Sequence, residues 1–456
     1  VQESLTFEDN AALDLLWYVG DADELSDAYA QLGGTSFWTK SARSRDVQRI
    51  HTGLPGEIAD TLAQIVASDM LPPEIPGHAP ISDMLTGILE ENDFPELLEN
   101  AVAQTLFIGD GAFRITFDET ISDAPILQFI PGDRVLFETH SGRITEIIFL
   151  TKYAKGARNF VFREHYGAGY IHYVLTDSYG TPLPLDAIEE TAGLEDIEFD
   201  TDVMLAVPLK FRSSARFPGR GRSIFDRRRG SFDALDEAWS QWMHAVRKSH
   251  ARTYIPESLA RYNGQTGEPM KPDDFTDNFI LVGANMAENG RDQIVTAQPH
   301  VEHEGYLAAY MTALDLCLQG LISPSTLGID VKKLDNAEAQ REKEKATLYT
   351  RSRIVQALQK ALPKLFSAAL YLHAQVHEIE LPEHLEITVP FGEYANPSFE
   401  AQVETLGKAK SSRILSNEAL VEELWGDTKT AQWKAQELSR LEAADGLTAP
   451  ADEVDF

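Results

Sequence analysis

The chain has 456 residues, 43% of them hydrophobic and 25% charged, and its 40 Lys and Arg face 72 Asp and Glu for a formal charge of −32. That size and composition exclude a wholly disordered chain and predict two to four domains. A surface this acidic repels nucleic acid unless local basic patches override it, which argues against a sequence-reading DNA binder.

Helical periodicity, punctuated by Gly33–Gly34 and Pro72–Pro73, predicts helices over Asn10–Tyr18, Ala22–Leu32, Gly56–Ser68, Pro80–Glu91 and Pro95–Ile108. Val1–Asn10 has no basic segment followed by an apolar block, so no targeting segment is expected, and the chain is read as beginning after processing or an unlisted initiator. From Ala112 to Leu209 the period changes to two. Strands are predicted over Ala112–Phe117, Ile126–Ile130, Val135–Glu138, Ile144–Lys152, Asn159–Tyr166, Gly169–Thr176 and Val203–Lys210, mostly antiparallel, with Ser141-Gly142 as a hairpin turn.

Ser223–Arg252 then reads as one long helix of about 45 Å, with Phe232, Leu235, Trp239, Trp242, Met243 and Val246 on one stripe. A second helix, Leu307–Leu321, carries Leu307, Tyr310, Met311, Leu314, Leu318 and Leu321 on one face. Between them Thr253–Gln298 supplies short strands at Tyr254-Ile255, Phe279–Val282 and Gln293–Thr296. A helix pair with a small insert between its members suggests a stem carrying a head.

Cys317 is the only cysteine, so no intrachain disulfide can form and a reducing compartment is compatible; its place beside Leu316 and Leu318 points to packing. The longest apolar run, Tyr306–Ile322, is broken by Thr312, Asp315 and Gln319 and is too short to span a bilayer, so a soluble protein is expected. After Pro324 and Gly328 loosen the chain, Asn336 is expected to cap a helix over Ala337–Val376, kinked near Pro363. A last strand, Glu386–Pro390, precedes helices at Ser398–Ala409, Ser416–Leu424 and Asp427–Ala444 and an acidic tail from Asp445 to Phe456.

Catalytic motifs fail in turn. There is no phosphate-binding loop, and Gly219-Arg-Gly221 lacks the third glycine of a dinucleotide fingerprint. The pair His300 and His303 is spaced wrongly for a zinc-protease helix and reads as a solvated helix start, and Gly221-Arg-Ser223-Ile lacks the glycine after the serine that a nucleophile elbow needs. No enzyme class, metal or cofactor is expected. One burst stands out: Arg212, Arg216, Arg220, Arg222, Arg227, Arg228 and Arg229 in an acidic chain. They suit either salt bridges to acidic neighbours or contact with phosphates or an adjacent subunit. Trp239 and Trp242 bury either within one subunit or against the next.

Three stretches carry a resemblance: Phe107-Ile-Gly-Asp-Gly-Ala-Phe-Arg114 leading to Pro131-Gly-Asp-Arg-Val; Gly221-Arg-Ser-Ile with the helix at Ala234–Ser240; and Leu321-Ile-Ser-Pro-Ser-Thr-Leu-Gly328 running into Asn336-Ala-Glu-Ala. In their order and spacing the chain resembles the portal proteins of tailed double-stranded DNA bacteriophages, a family shared by prophages and gene transfer agents. The resemblance implies an α+β fold. Its parts are a wing over 1–222, a first stem helix over 223–252, a small α/β clip over 253–300 and a second stem helix over 301–322. A tunnel loop over 323–335, the rest of the wing over 336–398 and a helical crown with the acidic tail over 399–456 complete it.

It further implies a homo-oligomeric ring of twelve subunits at one capsid vertex, made in the bacterial host cytoplasm and carried in the virion. Double-stranded DNA passes through it without sequence specificity. The implied partners are the terminase large subunit, a head–tail adaptor, and major capsid and scaffolding proteins. Tunnel-loop candidates are Ser323, Ser325, Thr326, Asp330, Lys332, Lys333 and Asp335. Subunit-interface candidates are Arg220, Arg222, Arg227, Arg228, Arg229, Trp239 and Trp242, and clip docking candidates are Lys271, Asp273, Asp274 and Arg291. Two alternatives stand beside this: another ring-forming tail or connector component, and a metal-dependent nucleic-acid-processing enzyme using Asp226, Asp233, Asp236 and Glu237.

Overall fold

Thr6 opens the first helix, α1 (Phe7–Val19), with a capping box in which its hydroxyl accepts from Asp9 N and the Asp9 carboxylate accepts from Thr6 N. Pro55, Pro80 and Pro95 start α3 (Leu54–Ser68), α4 (Ala79–Glu91) and α5 (Phe94–Ile108), where a missing N–H costs nothing. With α2 (Ala22–Leu32) these form the expected helical opening.

The computed structural model describes residues 5–32, 36–39, 47–156, 158–199, 201–249, 252–256, 279–282, 295–297, 300–329, 337–382 and 385–392, with 403, 406–408, 410–412, 415–425 and 431–447. It divides into two compact units, Val1–Phe391 and Gly392–Phe456. Both helix and sheet are abundant, in an α+β arrangement. No described helix is long and apolar enough to cross a membrane.

In the first unit β1 (Asp110–Thr116) lies between β2 (Ile126–Pro131) and β9 (Ala206–Lys210), antiparallel to both. A second antiparallel sheet runs β3 (Val135–His140), β4 (Arg143–Lys155), β5 (Arg158–Gly167), β6 (Tyr170–Asp177) and β7 (Pro182–Leu183), with β8 (Ile197–Glu198) also on β6. Ser141 and Gly142 join β3 to β4 with φ of 51° and 78°, the left-handed pair that the tight hairpin requires.

The helix α6 spans Arg229–Lys248, about 30 Å, shorter than the Ser223–Arg252 expected. Its start moves because the preceding residues are held by the rest of the chain. Ile224 N donates to Leu106 O, and Phe225 is fully buried, its own N–H donating to Ser223 Oγ. Helix α7 covers His303–Leu318. Between them lies a three-stranded sheet, with β10 (Arg252–Pro256) parallel to β11 (Phe279–Val282) and antiparallel to β12 (Val295–Ala297). Helix α8 runs over Ala337–Val376 without interruption at Pro363. Glu386–Pro390 forms no strand; only isolated antiparallel bridges tie Thr388 to Glu74 and Phe391 to Met70.

One apolar cluster joins α1, α3, α5, α6, α7 and α8 to β1 and β9, with Trp17, Phe113, Phe232, Cys317 and Phe366 each at 1% exposure or less. In the second unit α9 (Asn417–Trp425) and α10 (Ala431–Leu447) pack through Trp425 and Trp433, whose ring centroids are 5.6 Å apart. Ser416 Oγ accepts from Ala419 N at the start of α9, a cap without the acidic partner of a full box.

Candidate functional site

The paired helices α6 and α7 run antiparallel and meet through aromatic rings. Trp239 sits 5.6 Å from Tyr310, and Trp242 lies over Tyr306 at 6.5 Å with the planes 9° apart. Pairs of this kind contribute about 0.5–1.5 kcal/mol each beyond the area they bury. Both tryptophans therefore have partners inside the chain, and both stay half-buried. Burial fades along the pair. Phe232 and Leu235 are closed off, whereas Val246 is 38% and Leu307 48% exposed, so Leu307 leaves the covered stripe expected of it. Leu316, off the α6-facing stripe, is 53% exposed.

The other face of α6 is clamped by polar groups. Asp233 accepts from Ser36 Oγ at 2.6 Å and Phe37 N at 3.1 Å, Asp236 from Thr52 N and Oγ1 at 2.9 Å each, and Ser240 Oγ from Ile50 N at 2.9 Å. Asp226 accepts from Asn10 at 3.0 Å, and Glu237 from Gln241 at 2.8 Å. The acids of the nuclease alternative thus point to separate internal donors instead of one metal. Among the described residues no three His, Cys, Asp or Glu are placed to share an ion.

Asp236 also faces His51, with Oδ2 3.8 Å from Nε2. Burial pushes the Asp236 carboxyl up to about 7 and the His51 imidazole down to about 4. His51 Nδ1 accepts from Gly53 N, which puts the neutral ring's proton on Nε2. The raised Asp236 value means that stability is greatest below its ordinary value near 4 and is lost as pH rises toward 7. The depressed His51 value works the other way, with stability lost as pH falls from about 6.5 toward 4. At pH 5.5 the infrared spectrum of the folded protein is therefore expected to show a protonated-carboxyl band that weakens in Asp236→Asn. An unchanged band in that variant would refute the assignment.

Two arginines of the burst, Arg228 and Arg229, hold the base of the α6–α7 pair, and a third, Arg220, ties the turn before them. Arg220 grips Asp110, with Nε to Oδ2 at 3.1 Å and Nη2 to Oδ1 at 2.8 Å; it also donates to the carbonyls of Val135 and Gly132, and its guanidinium carbon lies 3.7 Å from the Phe7 ring centroid. Asp110 is fully buried and takes a further bond from Gly221 N. Glycine is needed around it: a Cβ at Gly132 would lie 2.1 Å from Asp110 Oδ1, and one at Gly221 2.0 Å from Gly109 O. Arg229 binds Asp14 at 2.7 Å, and burial raises the Asp14 carboxyl to about 7 against the pull of that arginine. Arg228 donates to Cys317 O at 3.1 Å and Gln319 O at 2.7 Å, capping the C-terminal end of α7. Arg222 is half-buried and Arg227 exposed.

Arg220 and Arg229 thus have their charges matched inside the chain, which is the first of the two roles open to the burst. The Asp110–Arg220 pair itself, linking residues far apart in sequence, was not legible; the glycines flanking each partner in Gly109-Asp-Gly111 and Gly219-Arg-Gly221 are the signal that could have found it.

The segment after α7 is anchored. Ser323 N donates to Thr347 Oγ1 at 2.8 Å, Thr326 Oγ1 lies 3.1 Å from Thr347 Oγ1, and Thr350 Oγ1 donates to Leu321 O at 2.7 Å. Ser323 is 2% exposed, with its hydroxyl 2.6 Å from Ser325 Oγ; Ser325 is exposed and Thr326 half-buried. Asp330, Lys332, Lys333 and Asp335, and the clip candidates Lys271, Asp273, Asp274 and Arg291, lie outside the described residues. Cys317 is fully buried, and burial pushes its thiol up to about 12.

No family model and no curated protein matches the chain. Among solved structures it is similar to a chain in the virion of a native gene transfer agent particle, at 15% identity and a TM-score of 0.48, covering 94% of this chain and 96% of that one. It is also similar to a chain in the neck of the native particle computed with C12 symmetry, at 14% identity and a TM-score of 0.44, covering 84% and 92%. A chain in the neck of the empty particle computed with C6 symmetry gives 14% identity and a TM-score of 0.43 over 87% and 96%. At such identities and scores these likenesses carry no functional weight, and the chain's own residues must supply the functional case.

Proposed function

We propose that the chain is the subunit of a portal-type ring at one vertex of a tailed-phage or gene-transfer-agent particle, a structural protein with no catalytic role. The observation that carries this is the antiparallel α6–α7 pair: locked at its base by Phe232, Arg228 and Arg229, it leaves Val246, Leu307 and Leu316 uncovered and carries an inserted sheet at its outer end. Uncovered apolar residues on a helical rod suit lateral burial against neighbouring copies. In this proposal α6 and α7 are the stem, β10 to β12 belong to the clip that meets the terminase large subunit and later the head–tail adaptor, and the segment beginning at Ser323 leads into the tunnel loop.

Acidity fits a conduit. Twelve copies at −32 each repel the phosphates of a passing duplex, so DNA slides instead of adhering, while Lys332 and Lys333 supply local friction. Electron microscopy of the purified protein, with native mass spectrometry for the copy number, is expected to show annuli with an open axial hole and about twelve subunits. Compact monomers at high concentration, or particles without a hole, would reject the ring.

A further inference from the structure

Beyond the arginines matched by Asp110 and Asp14, a second group of positive charges converges without a counterion among the described residues. Arg212 after β9, Arg222, Arg227 and Arg228 before α6, and Arg353 on α8 line one pocket with a cavity volume of about 30 Å³, lined also by Gly320 and Leu321. Arg228 is held by carbonyl oxygens. Arg212, Arg222, Arg227 and Arg353 have no carboxylate partner among the described residues. Burial weakens the proton affinity of Arg228, and the like charges of Arg222 and Arg227 add to the effect.

Arg212, Arg222 and Arg228 are half-buried and Arg227 and Arg353 exposed, and like charges brought together this way are costly unless an anion joins them. The space suits the head of one carboxylate or phosphate. A small recess receives one projecting acid better than it follows the convex backbone of a duplex. The chain as a whole, with 72 acids against 40 bases, offers acidic surface on any copy approaching it. Arginine forks match carboxylates bidentately.

We infer that this pocket is the receptor for an acidic side chain of the neighbouring copy, the attractive contact that lets strongly anionic subunits close sideways. The inference rests on the ring proposed above and names where its charge repulsion is overcome. Charge complementarity of this kind sets which faces meet and makes assembly sensitive to salt.

Sedimentation velocity over a salt series tests it, comparing the full-length wild type with Arg222→Gln/Arg353→Gln and Arg222→Lys/Arg353→Lys. The glutamine pair is expected to need about tenfold or more protein to assemble, with a flatter salt dependence, and the lysine pair is expected to recover part of the loss. The melting temperature of the glutamine pair should equal or exceed the wild-type value, because uncompensated charge has been removed. Should that double variant fail to fold, Arg353→Gln alone, at an exposed position of α8, carries the comparison. Assembly at the wild-type concentration would overturn the pocket while leaving the ring standing, whereas a wild type that never assembles would remove both. A short DNA duplex titrated into the same proteins gives the other arm: duplex binding lost in the glutamine pair with assembly intact would make the pocket a phosphate site and overturn the carboxylate assignment.

Discussion

Arg220→Ala is expected to destabilise the first unit by about 3–5 kcal/mol, read as a lowered denaturation midpoint, because it strands the fully buried Asp110 carboxylate. The same substitution frees the carbonyls of Gly132 and Val135, which the guanidinium bridges. Arg220→Lys should recover little, since one ammonium cannot serve two carboxylate oxygens and two carbonyls at once while lying on the Phe7 ring. Three distant stretches of chain meet here: the end of α5 with β1, the turn after β2, and the turn before Ser223. A loss below about 1 kcal/mol would show that the pair is not the lock described.

Trp17→Ala is expected to cost a similar amount, about 3–5 kcal/mol, through the cavity left by a fully buried ring. Its neighbours give this loss a direction. The indole touches Tyr29, Trp38, His51 and Phe232 within 6.2 Å and donates to Tyr29 Oη at 3.0 Å. Phe232 belongs to the first turn of α6, and the residues around Trp38 and His51 supply the donors that hold Asp233 and Asp236. Removing the ring therefore loosens the seat of α6 as well as the core. The expected result is a lowered melting temperature and, in the proposed ring, a larger fraction of unassembled subunits at temperatures where the chain remains folded. Trp17→Phe, which keeps most of the volume, should lie between the two. A variant that melts at the wild-type temperature would contradict this packing.

Local pattern made the helices and hairpins legible. Prolines at helix starts, the Ser141-Gly142 turn and period-two strands all act over a few residues, and α2, α8 and β11 fall on the very residues expected. The misses lie where distant groups compete. Ser223–Arg228 has helical periodicity, but burying Phe225 and pairing Ile224 with Leu106 holds it out of α6. Glu386–Pro390 reads as a strand, yet the segment around Glu74 offers only bridging positions, and the ladder goes no further. The candidate site was half legible: composition flags the arginines, whereas which are matched by Asp110 and Asp14 and which converge without acids depends on residues over a hundred positions away.

Arg252 and Ala297 stand opposite each other in the β10–β12 register, so the chain leaves and re-enters this sheet at points one strand spacing apart. A change in the number of residues between those two points need not alter the separation of α6 and α7. In the proposed ring the inserted segment would then be a replaceable fitting, while α6 and α7 keep the contacts that set how many copies close the circle.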